Sequence, residues 1–151
     1  MKIKEVLEVK VKKVLENAVI PEYQTEGAAC FDLVAASKSF EPLLVGPTYV
    51  YDTGLAFEIP EGFVGLVFPR SSITTKTTLS LGNAVGVIDS DYRGTIKFQF
   101  RKTNPMYQQD YNVGDRIGQM MILPVPSVKL ELAEELTETN RGDGSFGSTG
   151  K

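Results

Sequence analysis

Short runs rich in β-branched and aromatic residues recur along the chain, and they constrain its fold more than any other feature. Four of them read YVYDTGLAFEI, FVGLVF, TIKFQF and RIGQMMIL. Turn signals separate them, among them Pro-Glu-Gly, Gly-Asn, Asn-Pro and Val-Gly-Asp, which is the punctuation expected between strands. Many short strands at such spacing are typical of an antiparallel barrel or sandwich. We therefore predict an all-β fold.

The N-terminal segment EVLEVKVKKVL is ambiguous by pattern. Leu7, Val9 and Val11 alternate as in a strand, whereas Leu7, Val11, Val14 and Leu15 fit one face of a helix. We interpret this segment as a strand.

Length and charge limit the classes of function. The chain has 151 residues, of which 42% are hydrophobic, so we expect a single domain over residues 1–151 with a substantial core. A net charge of −3 and a pI near 5.1 argue against a nucleic-acid partner. The sequence lacks an apolar run long enough for a signal peptide or a membrane span, so we expect no membrane association and a cytoplasmic location, or the host cytoplasm for a viral protein.

The residue types available for catalysis are few. The chain has no histidine and one cysteine, Cys30, so acid–base chemistry falls to Asp, Glu, Lys or Tyr. Cys30 lies in the small, apolar stretch GAACFDL, where we interpret it as a buried structural thiol. Oxygen ligands suit Mg²⁺ better than Zn²⁺, so any metal here is predicted to be a hard cation.

Two acids flank Ser90 in the stretch GVIDSDYRGTI. Apolar runs precede and follow them, which predicts that Asp89 and Asp91 lie at the tip of a hairpin. A solvated turn and a catalytic carboxylate are both compatible with this pattern, since Asp and Ser also stabilise ordinary turns.

Polar residues follow the run FVGLVF in the stretch PRSSI. Arg70, Ser71 and Ser72 at the exit of a strand could form an anion-binding turn, aided by the N–H groups of a helix that begins there. The same residues would also make an ordinary helix cap.

Two further strands contain an unexpected polar residue. Gln119 interrupts the apolar run RIGQMMIL, where it is either solvent-facing or a ligand group. Asp32 lies within the apolar run of EGAACFDLVAAS. Its carboxylate needs a partner or a metal-bound water to offset desolvation.

The last residues, about 137–151, form a predicted mobile tail that contains NRGDGSFGSTGK. Glycine N–H groups, hydroxyls and Arg141 could close over a polyphosphate. An inconsequential disordered C-terminus is the alternative. Phe146 favours the first interpretation, because an aromatic ring in a solvated tail gains from stacking on a nucleobase.

Taken together and in order, GAACFDL, PRSSI, GNAVGVIDSDYRGTI, GDRIGQM and RGDGSFGSTG resemble the five motifs of the trimeric deoxyuridine triphosphatase (dUTPase) family. The resemblance implies a jelly-roll-type β-barrel, the β-clip of that family. It also implies a homotrimer with three active sites at its interfaces, each closed by a C-terminal tail. The implied reaction is the hydrolysis of dUTP to dUMP and pyrophosphate, which keeps uracil out of DNA and supplies dUMP for dTMP synthesis.

The resemblance implies a role for each matching residue. Asp89 would be the general base for a water that attacks the α-phosphorus. Mg²⁺ would be held mainly by the triphosphate, and Asp32 would hold one of its waters. Tyr92 would lie against the deoxyribose and exclude a 2′-hydroxyl. The remaining substrate-binding residues implied are Arg70, Ser71, Ser72 and Gln119 for phosphates, Asn83, Gly86 and Ile88 for uracil, and Arg141, Phe146, Gly147, Ser148 and Thr149 from the tail.

Four residues near these motifs are given other interpretations. Asp91 is assigned to the structure of the hairpin, and Arg93 to bracing the hairpin or an interface. Cys30 replaces a glycine often found in the first motif of the family. Asp143 adds an acid to the tail.

Two other functions stay open at this stage. A dCTP deaminase has the same barrel, although DSDYRG and the Phe146 tail favour the dUTPase. A binding or regulatory protein that uses the barrel to engage another protein is the alternative from a different class.

Overall fold

Nine strands and one short helix make up the part of the chain that the structure describes. The structure is a computed structural model that describes residues 6–43, 46–104, 106 and 109–144. The elements in chain order are β1 Lys10–Lys13, β2 Phe31–Val34, β3 Ser37–Leu43, β4 Gly46–Glu58, β5 Phe63–Pro69, α1 Ile73–Lys76, β6 Leu79–Leu81, β7 Gly86–Ile88, β8 Thr95–Lys102 and β9 Arg116–Pro124.

The strands form two antiparallel sheets. The first has the order β1-β4-β8-β6, and β3 also pairs with the long strand β4. The second has the order β2-β9-β5-β7. The all-β class that the sequence predicts is confirmed, as is the strand at the N-terminus.

The core lies between the two sheets, and β8 illustrates how the sequence builds it. Ile96, Phe98 and Phe100 of β8 are buried, while the residues between them face outwards, which is the period of two expected for a strand with one buried face. The rings of Phe98 and Phe100 stack at 5.9 Å between centroids. Leu33, from the second sheet, is fully buried in the same cluster.

One close approach in the core requires a glycine. A Cβ atom on Gly118 of β9 would lie 2.9 Å from the carbonyl oxygen of Phe68 and closer still to the ring of Phe98. The side chain of Phe98 therefore occupies the space that any other residue at position 118 would need.

The hairpin predicted around Asp89 and Asp91 is wrong. Strand β7, which precedes the two acids, pairs with β5 in the second sheet, whereas β8, which follows them, pairs with β4 and β6 in the first sheet. The segment between β7 and β8 therefore crosses from one sheet to the other. A turn between two apolar runs looks the same in sequence whether the runs pair with each other or with other strands.

The helix anticipated after PRSSI is a single turn, α1. Ser72 occupies its N-cap position, but its side chain makes no capping hydrogen bond. No helix in the described ranges combines the length and the hydropathy needed to span a membrane.

Candidate active site

Three neighbouring strands bring several of the predicted phosphate-binding residues together. Gln119 on β9 is paired with Asp32 on one side and with Phe68 on the other. Its Nε2 atom donates a hydrogen bond to the carbonyl oxygen of Pro69 at 3.0 Å, directly before Arg70. The side chain of Gln119 thus fixes the strand end from which Arg70 projects, next to Asp32.

Asp32 has the partners that its position in an apolar strand requires. Its carboxylate is 15% exposed and lies 3.0 Å from Nη1 of Arg116 and 3.7 Å from Nε of Arg70. The first contact is a charge-assisted hydrogen bond, and the second is a longer ion pair. Two guanidinium groups therefore offset the desolvation of one carboxylate.

Sequence reasoning missed Arg116 and Gln24. Arg116 Nη1 also donates to Oε1 of Gln24 at 3.1 Å, which links the loop before β2 to β9. Arg116 lies in the motif GDRIGQM. The one signal in the sequence was the carboxylate of Asp32 in an apolar strand, which indicates that a cation lies nearby. No local pattern indicates that the two residues meet, since 84 positions separate them.

A groove of about 630 Å³ runs beside this cluster. Its polar lining includes Arg70, Ser71 and Gln119, and it is also lined by Cys30 and Ala84. A guanidinium group, a hydroxyl and an amide within one groove can bind an oxyanion. We refer to it as the Arg70 groove.

Ser72 faces a different space from Ser71. It lines an adjoining groove of about 380 Å³ together with Lys76 and Tyr111, and Arg70 contributes to both grooves. The structure therefore separates two hydroxyls that the sequence predicted to lie in one anion-binding turn.

Cys30 is partly buried at the wall of the Arg70 groove. Burial, and then the negative charge of Asp32, raise the pKa of its thiol. Both effects disfavour the thiolate, as expected for a structural thiol, although Cys30 is partly buried and not fully buried as the sequence predicted.

A tight turn connects the Arg70 groove to the strand predicted to bind uracil. The amide of Val85 donates to the carbonyl of Asn83 at 2.6 Å, and Ala84 between them has a φ of 61°. The following strand, β7, carries the predicted residues Gly86 and Ile88. It pairs with β5 along one edge, and no described strand pairs with its other edge, so main-chain groups remain available there.

Asp89 lines a second groove, of about 910 Å³. Ser90, Asp91 and Arg93 line the same groove. Asp89 is exposed, and within the described ranges its carboxylate has no hydrogen bond or ion pair to another side chain. We refer to this space as the Asp89 groove.

The register of β5 and β7 sets the distance between the two grooves. Ile88 is paired with Gly65, so Asp89 lies beside Val64, at the start of β5. Arg70 follows the end of β5, six residues further along. At about 3.3 Å per residue this separation is roughly 20 Å, so one chain does not place Asp89 and Arg70 on the same phosphate group.

The turn that follows Asp89 is closed by its own contacts. The amide of Tyr92 donates to the carbonyl of Asp89 at 3.1 Å. Arg93 Nη1 donates to the carbonyls of Ser90 at 2.6 Å and of Tyr92 at 3.0 Å. Arg93 thus braces this turn between the two sheets, and not the hairpin that the sequence predicted.

The described residues contain no cluster of three or more acidic or cysteine side chains that could hold a metal ion. Asp32 is a single carboxylate that faces two guanidinium groups. This donor set does not fit a metal ion bound by protein ligands alone. It fits an ion that a polyphosphate holds and that Asp32 contacts through a water molecule.

The predicted tail is described only as far as Gly144. Arg141 is exposed and its Nε donates to the carbonyl of Gly144 at 3.0 Å, within a turn that also contains Asp143. Phe146, Gly147, Ser148 and Thr149 lie outside the described residues.

Comparison with known proteins identifies the chain. The family model for dUTPase matches residues 16–150. The deoxyuridine 5'-triphosphate nucleotidohydrolase of Hydrogenobaculum sp. is 41% identical over 145 residues, which cover 93% of this chain and 96% of that protein. These matches define an enzyme of the nucleotidohydrolase class. The chain belongs to the dUTPase family.

Solved structures agree with this assignment. A mutant dUTPase of Staphylococcus bacteriophage 80alpha with dUpNHpp has a TM-score of 0.81 and 27% identity, covering 97% of this chain and all of that one. A mutant dUTPase from phage phi11 of S. aureus, described with a structural Mg(II) ion, has a TM-score of 0.70 and 27% identity, covering 85% of this chain and 98% of that one.

Proposed function

We propose that this protein hydrolyses dUTP to dUMP and pyrophosphate, in the cytoplasm of the cell that contains it. The observation that carries the proposal is the pair of grooves, one lined by side chains that can bind phosphate and the other by a free carboxylate. The family match, and the name of the Hydrogenobaculum relative, support the choice of substrate.

Asp89 is proposed as the general base. Because its carboxylate is exposed and has no side-chain partner within the described ranges, it is free to accept a proton from water. The water oxygen forms a bond to the α-phosphorus, and its proton passes to Asp89. The bond from the α-phosphorus to the bridging oxygen breaks, and that oxygen leaves with pyrophosphate.

The Arg70 groove is proposed to bind the phosphates. Ser71 offers a hydroxyl, Gln119 an amide and Arg70 a guanidinium group, and Ser72 lies next to them. The ion pair between Arg70 and Asp32 is long, at 3.7 Å, so a phosphate oxygen can replace the carboxylate as the partner of Arg70. Phosphoryl transfer depends mainly on such positioning and charge stabilisation.

Mg²⁺ is proposed as the cofactor, held mainly by the triphosphate. When bound, it would neutralise charge on the phosphates, and Asp32 would accept a hydrogen bond from one of its waters. Arg116 keeps the Asp32 carboxylate in place for this role.

Uracil is proposed to bind at the open edge of β7. The main-chain groups of Gly86 and Ile88 would read its donor and acceptor pattern, with Asn83 nearby. A fixed main-chain pattern mismatches cytosine, and a tight site excludes the 5-methyl group of thymine. Tyr92 would lie against the deoxyribose.

The tail is proposed to close over the bound nucleotide. Arg141, Ser148 and Thr149 would contact the terminal phosphates, together with main-chain groups near Gly147. Phe146 would stack on uracil.

We infer that the active sites form between copies of the chain in a homotrimer. The separation of roughly 20 Å between Asp89 and Arg70 means that one substrate needs these residues from two chains. Exposed apolar side chains support this assembly. They are Val128, Leu130 and Leu132, which are 73%, 91% and 101% exposed. An apolar side chain gains free energy when a second copy removes it from water.

The proposed role in the cell follows from the reaction. Removal of dUTP keeps uracil out of DNA, and the product dUMP is the precursor of dTMP. A protein partner beyond the homotrimer is not needed for either role.

The experiment that tests the proposal measures pyrophosphate release with Mg²⁺ from dUTP, dTTP, dCTP and UTP. We expect a strong preference for dUTP that Asp89→Asn abolishes, with at least about a thousandfold loss of kcat. Asp91→Asn is the matched control, since it removes the same charge from the same groove, and we expect it to retain most of the activity.

Two outcomes would contradict the proposal. Hydrolysis of none of the four nucleotides would favour a binding protein, and release of ammonia from dCTP would favour a deaminase. Equal loss in the Asp89 and Asp91 variants would contradict the assignment of Asp89 as the base.

A further inference from the structure

The side chain of Tyr92 folds back over the glycine two residues later. Its hydroxyl donates to the carbonyl of Thr95 at 3.2 Å. A Cβ atom added to Gly94 would lie 3.1 Å from Cε2 of Tyr92, 2.5 Å from Cζ and closer still to the hydroxyl oxygen. The outer half of the phenol ring therefore rests on the bare Cα of Gly94.

The backbone of Gly94 does not itself require a glycine. Gly54 and Gly62 have positive φ angles, but Gly94 does not. An alanine at position 94 is therefore compatible with the local backbone conformation. What excludes a side chain at this position is the ring of Tyr92.

The ring can give way without disturbing the fold. Tyr92 is 44% exposed and its hydrogen bond to Thr95 is exposed as well. The turn is closed by main-chain and Arg93 contacts that do not involve the ring. A Cβ atom at position 94 is thus expected to lift the ring and leave the chain folded.

We propose that Gly94 is a positioning residue that determines how strongly the enzyme discriminates deoxyribonucleotides from ribonucleotides. This inference rests on the proposed function, in which Tyr92 lies against the sugar. A ring seated on Gly94 has a fixed height above the turn, and a ring lifted from it presents a different surface to C2′ of the sugar. A displacement of about an ångström is enough to change such a fit.

The test compares Gly94→Ala with the wild type by the ratio of kcat/KM for UTP to kcat/KM for dUTP. We expect this ratio to rise by roughly tenfold, within the range that exclusion of a single hydroxyl supplies. Gly27→Ala is the matched control, because a Cβ atom there meets nothing within 4 Å and its φ is not positive. The control should leave the ratio unchanged.

A double variant shows whether Gly94 acts through Tyr92. In the Tyr92→Ala background the ring is gone, so Gly94→Ala should have no further effect on the ratio. An additive effect in the double variant would overturn the proposal.

The remaining outcomes are also decisive. A wild type that does not hydrolyse dUTP contradicts the proposed function itself. A wild type that prefers dUTP, with an unchanged ratio in Gly94→Ala, contradicts only this inference. Circular dichroism shows whether Gly94→Ala folds. Loss of folding in this variant would overturn the inference as well, because Gly94 would then serve the fold and not the position of the ring.

Discussion

Arg116 Nη1 lies 3.0 Å from Oδ2 of Asp32, and this contact is the shorter of the two ion pairs that Asp32 makes. It joins β9 to β2, and Arg116 lines the groove that adjoins the Arg70 groove. Because Arg116 forms an ion pair with Asp32, Arg70 can turn from the Asp32 carboxylate to a phosphate while Asp32 keeps one cationic partner.

Arg116→Gln tests this arrangement. The variant leaves Asp32 with Arg70 as its single cation, and Arg70 is then held away from substrate. We expect KM for dUTP to rise by roughly tenfold and the free energy of unfolding to fall by about 1–2 kcal/mol, a modest value because Arg116 is partly exposed. Steady-state kinetics and urea denaturation measure the two effects.

Lys10→Gln is the control for Arg116→Gln. It removes an ion pair of similar length, 2.9 Å to Glu58, on the exposed face of the first sheet. We expect no measurable change in KM or stability from this variant. An unchanged KM in Arg116→Gln would argue that Asp32 does not compete with substrate for Arg70.

Mixing two inactive variants tests whether active sites form between chains. Arg70→Ala and Asp89→Asn each remove one half of the proposed site. Random co-assembly of equal amounts should restore about one quarter of wild-type activity, since each chain contributes its intact half with a probability of one half. The mixture is unfolded and refolded together before dUTP hydrolysis is measured.

Each variant refolded alone provides the baseline for that experiment. Activity in the mixture no greater than the two baselines would mean that Asp89 and Arg70 act within a single chain. That result would conflict with the register of β5 and β7.

Gly118→Ala tests the close approach of β9 to the opposite sheet. The added methyl group would overlap the ring of Phe98 and crowd the carbonyl oxygen of Phe68. The ring of Phe98 is fully buried in the core, so we expect a loss of about 2–3 kcal/mol in the free energy of unfolding. Gly27→Ala, measured in the same denaturation assay, should be neutral. Equal stability of the two variants would refute the packing argument.

Alkaline pH should destabilise the protein through its buried tyrosines. Burial raises the pKa of Tyr51 and of Tyr111 above the ordinary value, which is about 10 for tyrosine. The folded state therefore keeps these protons when the unfolded chain has lost them, and this contribution to stability is full below pH 10 and falls as the pH rises further.

Tyr51→Phe isolates this effect. The hydroxyl of Tyr51 donates to the carbonyl of Tyr111 at 2.9 Å, a carbonyl that also accepts from Lys38, so the variant should cost about 1 kcal/mol at pH 8. Its stability should fall less steeply than that of the wild type between pH 10 and pH 11. Parallel curves in that range, obtained by urea denaturation, would show that Tyr51 does not contribute.

The sequence predicted β4, β5, β8 and β9 because each of these runs carries its own signal, whereas β3 and β6 were not predicted. Alternation in TIKFQF, for example, places Phe98 and Phe100 on one face and needs no knowledge of partners. It did not predict which strands pair, because pairing depends on contacts between distant residues. The turn at Asp89 and Asp91 was therefore assigned to a hairpin, although it joins two sheets.

The same distinction applies to the candidate site. Single residues with unusual surroundings, such as Asp32 in an apolar strand, were identifiable by residue type and position. Arg116 was not, because its role arises only when β2 and β9 lie side by side. The distance between Asp89 and Arg70 was equally unpredictable. The two residues are 19 positions apart in the chain, and this number does not indicate at which ends of two antiparallel strands they lie.

The open edge of β7 has a consequence for how this protein can change. A base recognised by peptide groups, as proposed for uracil, is recognised by atoms that every amino acid carries, so replacing the side chains of Val87 and Ile88 alters packing and leaves the main-chain pattern in place. Alanine scanning would therefore not detect recognition of the base by the main chain. The proposed preference for uracil is expected to persist through substitutions that exchange most of the surrounding surface, and to be lost when a change in chain length shifts the strand by one residue.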